Sequence, residues 1–136
     1  MLEAAVLCLA LNAYHEARRE GPIGMAAVTQ VVLNRAAAGD RRWPGGICAV
    51  VRQGGERPLH RCQFSWYCDG KSDRPREPAA WREARIVAEA MLAGHLRVRS
   101  LERATCYHAL TIPVPPHWAR KVRPVGRIAG HIFYRC

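Results

Sequence analysis

An apolar run from Ala4 to Leu11 leads without a break into Asn12-Ala13-Tyr14-His15-Glu16-Ala17-Arg18-Arg19-Glu20-Gly21, and this junction limits the fold more than any other stretch. Leu2, Val6, Leu9 and Ala13 recur at helical spacing, which predicts one amphipathic helix as far as Arg19, stopped by Gly21 and Pro22. Tyr, His and Glu at the end of so apolar a helix are costly to bury. A carboxyl held between a packed core and a cleft has its charged form disfavoured, so its pKa rises. A carboxyl still protonated near neutrality is a candidate general acid, and Glu16 is that candidate. Glu20 follows four residues later on the same predicted face and would push in the same direction, while Arg18 and Arg19 would oppose it. His15-Glu16 also opens a His-Glu-x-x-His zinc pattern. Its fifth position is Arg19, so the second ligand is missing and the motif fails.

The chain of 136 residues fits one domain, 1–136, around a single core. Its hydrophobic content of 49% is that of a globular chain, and its formal charge of +10 favours anionic polymers or surfaces. The cations are scattered and mostly Arg, with no basic block, so nucleic acid is not an expected partner. The cysteines form an even set of 6. Cys8, on the apolar helix face, reads as a small buried hydrophobe, whereas a disulfide within the trio Cys48, Cys62 and Cys68 suits an oxidising compartment. Without a Cys-x-x-Cys pair, a structural zinc site has little support. Glu3 stands where a signal peptide would be basic, and no small-residue cleavage site follows, so residues 1–13 read as structural. No stretch approaches the length of a membrane span.

Farther along, apolar residues surround nearly all of Ile23–Ala38, which predicts a central helix whose Gln30, Asn34 and Arg35 need partners, with Asn34-Arg35 placed to bond the following loops or to form part of the cleft floor. Ile47–Gln53 reads as a short helix. Gln63-Phe64-Ser65-Trp66-Tyr67 combines rings with amide and hydroxyl groups, which suits either a sugar-binding wall or a short strand packed on the core. Pro78 to Gly94 frames a further helix with Trp81, Ala84, Ala88, Met91 and Leu92 inward. The last third has strand character at 104–108, 122–125 and 127–134, with Gly126 and Gly130 as a turn and a bulge. The expected fold is α+β and mainly helical, with a small antiparallel sheet from the C-terminal third. His108 is either a core histidine or a cleft residue beside Tyr107, and His131 reads as structural.

Tyr14-His15-Glu16-Ala17-Arg18-x-Glu20-Gly21, followed by a helix ending Val31-Val32-Leu33-Asn34-Arg35, resembles the bacterial and phage cell-wall hydrolases related to spore-cortex-lytic enzymes, the SleB-like family. The likeness continues through Trp43-Pro44, Cys48-Ala49-Val50-Val51, Cys62-Gln63-Phe64-Ser65, Cys68-Asp69-Gly70, 104–109, 118–120 and 130–134. It departs at Arg19, where the family usually has Gly, and at Met25, where Gln is common.

The resemblance implies a lysozyme-like helical core and lytic transglycosylase activity on peptidoglycan, with one essential Glu at Glu16 and no cofactor. Gln63, Ser65, Tyr107, His108 and Glu20 are the candidates for holding sugar and acetamido groups. A hydrolytic glycosidase would instead need a second carboxylate, for which Asp69 and Glu20 are available. Two other readings compete: a zinc amidase using His15, His108 and His117, and a non-catalytic basic module that binds the wall. The expected protein is a monomer drawn to an anionic wall, acting outside the cytoplasm or as a phage lysin.

Overall fold

A computed structural model describes residues 2–136. Met1, the first residue of the segment expected to be structural, lies outside the described residues. The elements are α1 (Leu2–Ala17), α2 (Gly21–Ala37), α3 (Ile47–Val51), α4 (Pro78–Leu92), β1 (Cys106–Ala109), β2 (Arg123–Ile128) and β3 (His131–Arg135), joined by short 3₁₀ turns. The chain is mainly helical with a small antiparallel sheet, as the sequence predicts. No helix among the described residues is long and apolar enough to cross a membrane.

Helix α1 packs on α2, α3 and α4, and α2 also packs on α4. The reason lies in α2: Met25, Ala27, Val28, Val31 and Val32 are fully buried, so this helix needs neighbours on nearly every side. Its polar residues find partners in later loops. Asn34 Nδ2 donates to Leu101 O at 2.8 Å and Ala104 O at 2.7 Å, and Gln30 Oε1 accepts the Val98 N–H at 3.0 Å. These bonds tie the central helix to the chain entering the sheet.

The α1–α2 junction differs from expectation. Helix α1 ends at Ala17, not Arg19, and α2 begins at Gly21. Gly21 takes a φ of +73°, which glycine adopts without steric cost, and Pro22 sits in the first turn of α2, where its missing N–H is not needed. Gly21-Pro22 therefore starts the second helix as much as it stops the first.

The sheet order is β1-β3-β2, antiparallel throughout. A bulge lies between Pro124 and Gly126, and Ala129-Gly130 forms the turn, so the two glycines divide the roles expected of them. Residues 63–67 form no strand: Ser65–Cys68 is a 3₁₀ turn, although Phe64 and Trp66 are buried on the core. All six cysteines pair, as Cys8–Cys48, Cys62–Cys68 and Cys106–Cys136. Cys62–Cys68 falls within the expected trio. Cys8 is buried but is not a free hydrophobe; it bonds α1 to α3, because packing brings the two Cα atoms to 5.4 Å.

Candidate active site

Tyr14, His15 and Glu16 lie in the last turn of α1, and helical geometry turns each about 100° from the last, so each side chain meets a different neighbour. The buried Tyr14 hydroxyl accepts the N–H groups of Arg76 and Glu77, both at 3.0 Å. His15 stacks on Trp66 at 4.7 Å, and its Nε2–H donates to Asp73 O at 2.8 Å. Trp66 donates its indole N–H to Asn12 Oδ1 at 2.9 Å, on the preceding turn of α1. Tyr14 and His15 thus fasten residues 73–77 alongside the helix end, and Glu16 is left facing the gap.

Glu16 lies where two recesses meet, one of about 420 Å³ bounded by Tyr14, Ser65, Trp66 and the 69–77 segment, the other of about 220 Å³ running toward Glu20. The Tyr107 hydroxyl, from β1, donates to Glu16 Oε1. Burial pushes the Glu16 carboxyl above its ordinary value of 4.5; the Tyr107 bond and the nearby His131, Arg35 and His15 hold back that rise without cancelling it. Burial also raises the Tyr107 phenol well above 10, with the Glu16 charge adding to it, so Tyr107 stays a proton donor at neutral pH.

Arg35 is 6% exposed, with its guanidinium over Phe64 at 5.3 Å and Trp43 at 5.4 Å. Its Nε–H donates to Thr105 O at 2.7 Å, and one terminal nitrogen has no partner among the described residues. Burial lowers its pKa while Tyr107 and Glu16 raise it, and a guanidinium keeps its charge under these conditions. The result is a fixed cation beside a carboxyl that opens onto the two recesses.

Strand alternation decides which C-terminal residues reach this site. Tyr107 pairs with Phe133 and meets His131 edge-on at 5.1 Å, on the face turned to the helices. His108 points the other way, bonded to the Tyr134 hydroxyl at 2.8 Å and set edge-on to Trp118 at 6.1 Å. Of the sequence candidates, Tyr107 and Ser65 therefore gather at Glu16, while His108 and the exposed Gln63 do not. Asp69 lines the larger recess.

Glu20 is not on the Glu16 face, because the helix has ended. Its Oε1 accepts the Gly130 N–H at 2.9 Å and His131 Nδ1–H at 3.0 Å, fastening the β2–β3 turn to the α1–α2 junction. A Cβ on Gly24 would collide with the Glu20 Cβ, so the strut needs glycine there. Replacing Glu20 with Ala leaves two donors without their acceptor; the expected cost is about 1–3 kcal/mol, read by urea denaturation. The departure at Met25 lies in the core, fully buried, and not at the cleft.

Among the described residues no group of three His, Cys, Asp or Glu side chains could hold a metal ion, and His15, His108 and His117 do not converge. The sequence offered Arg35 as part of the cleft floor but not as the cation beside Glu16, and it did not show that His131, read as structural, also stands at the site. The available signal was a cation on a helix apolar on every side, which must be buried and therefore compensated.

A family model described as Cell Wall Hydrolase matches residues 19–134. That stretch contains Arg35, the 69–77 segment, Tyr107 and His131, and it begins just after Tyr14, His15 and Glu16. The chain matches no curated protein and no solved structure.

Proposed function

The chain belongs to the cell wall hydrolase family, and on that premise we propose that it cuts the glycan strand of peptidoglycan as a lytic transglycosylase of the spore-cortex-lytic type, with Glu16 as its acid and base. The supporting observation is the setting of Glu16: a carboxyl with raised proton affinity, held by one hydrogen bond, where two recesses meet. A polymer crossing both recesses would lie on either side of it. In the first step Glu16 protonates the glycosidic oxygen between the muramyl and glucosaminyl sugars, and the leaving sugar departs. The resulting carboxylate then takes the proton of the muramyl 6-hydroxyl, whose oxygen closes on the anomeric carbon as a 1,6-anhydro ring. One carboxyl thus serves both steps, and its proton is returned at the end of the cycle.

The two steps make opposite demands, and the surroundings meet both. Burial favours the protonated form that starts the reaction. Tyr107, Arg35 and His131 stabilise the carboxylate that forms midway, so the charge does not appear in an uncompensated site. Tyr107 occupies Oε1 and leaves the other oxygen to the substrate. It is a positioning residue. Tyr107→Phe removes a bond that lowers the Glu16 pKa, so the alkaline limb of the kcat/KM profile should move to higher pH while the rate falls about tenfold or more.

Mass spectrometry of digested peptidoglycan tests the reaction type. Anhydro-muramyl ends that persist in EDTA support the proposal. Reducing ends would assign hydrolysis, with Asp69 as the second carboxylate. Released peptides on intact glycan, lost in EDTA, would favour an amidase and overturn it.

A further inference from the structure

Resting on the glycan-cleaving reading above, we propose that Lys71, Arg74 and Arg76 make this cleft selective for glycan whose lactyl groups carry acidic peptides, by pairing with the peptide carboxylates. The three side chains are exposed along one wall of the larger recess that Glu16 lines. Their backbone is held while their charges are left free. Asp69 Oδ1 accepts the Lys71 N–H at 2.9 Å, Ser72 Oγ accepts the Arg74 N–H at 3.2 Å, and the Tyr14 hydroxyl accepts the Arg76 N–H at 3.0 Å. The His15 bond to Asp73 O fixes the middle of the segment. Residues flanking the proposed catalyst therefore set the position of this cationic wall.

Charge within the recess is unbalanced. Arg18 is engaged by Glu77, and Glu16 is the group whose neutral form burial favours. Asp69, with Asp73 close to it on the same segment, is then outnumbered by Lys71, Arg74 and Arg76, none of which forms an ion pair among the described residues. The glycan backbone of N-acetylated sugars is neutral and gives three cations nothing to bind. In the intact polymer the lactyl carboxyl is itself spent in an amide, so the anions nearest the scissile bond are those of the attached peptide. Arginine forks suit carboxylates, and pairs at an exposed wall weaken with salt.

The test compares sacculi with free carboxyls against sacculi whose carboxyls have been amidated, at one ionic strength, by initial rates of glycan-bond cleavage. Amidation should lower kcat/KM of the unmodified enzyme about tenfold, mainly through KM. K71Q/R74Q/R76Q should cleave both substrates alike, at the lower rate. R82Q/R97Q/R103Q removes the same charge from exposed positions outside the recess and should keep the discrimination. Equal cleavage of both substrates by the unmodified enzyme would overturn the proposal and leave the glycan-cleaving reading standing. Loss of discrimination in the control variant would also overturn it, since overall charge would then suffice. If neither substrate yields new sugar ends, the glycan reading fails and this proposal falls with it.

Discussion

Glu16→Gln should abolish most glycan cleavage, by about 10²–10⁴-fold, and leave a folded protein that still binds sacculi. Gln keeps the size of the side chain and can still accept the Tyr107 hydroxyl bond, so the loss isolates proton transfer from packing. The same substitution should raise stability at neutral pH. Because the native carboxyl sits above its ordinary 4.5, between that value and the raised one the folded chain holds a proton that the unfolded chain has lost. Stability therefore falls as pH rises through this interval, and a neutral amide escapes that loss. Urea denaturation of both proteins as a function of pH measures the difference: the curves should converge in acid and separate toward neutrality. A variant that is inactive but less stable at every pH would point to a packing role for Glu16. A variant that retains glycan cleavage would remove Glu16 as the acid and base.

Removing the Cys8–Cys48 disulfide, as C8A/C48A, should cost about 4 kcal/mol, because the bond closes a loop with a sequence separation of 40 residues. That is a large part of the roughly 5–15 kcal/mol that stabilises a domain. The six-residue separation of Cys62–Cys68 predicts about 2 kcal/mol for its loss. The order matters for function, since Cys8 lies on the helix that carries Glu16 in its last turn and the bond anchors that helix to α3. Activity should therefore fall under reducing conditions together with the cooperative unfolding transition, and C8A/C48A should unfold at lower urea than C62A/C68A. The reverse order would show that native-state contacts, not loop closure, dominate. With all six cysteines paired, the chain suits an oxidising, wall-facing environment.

The helical part of the fold was legible because burial imposes a period. The apolar positions of α2 and α4 predicted helices within a residue or two of Gly21–Ala37 and Pro78–Leu92, and Arg85–Glu89 forms an i,i+4 pair at 3.8 Å on α4. Residues 63–67 were not legible. Phe64 and Trp66 alternate as in a strand, but no partner strand reaches them, and the chain closes into a 3₁₀ turn. Helix length was similarly ambiguous at Ala17, where the left-handed Gly21 and the Glu20 strut end α1 early. That early end removes the like-charge pairing expected of Glu16 and Glu20.

Periodicity and chemistry along the chain determined the class of fold and singled out Glu16, because both are local: an apolar face that ends in an ionisable triplet is visible without knowing what packs on it. Tertiary structure decided everything that depends on distant partners. It turned Tyr107 toward Glu16 and His108 away, set Arg35 beside the carboxyl, bonded Glu20 to the β2–β3 turn, and paired Cys8 with Cys48. The physical reason is that strand facing and cysteine pairing are fixed by register and packing between segments far apart in the chain. Composition gives the charges, but only the fold determines which of them share a cleft.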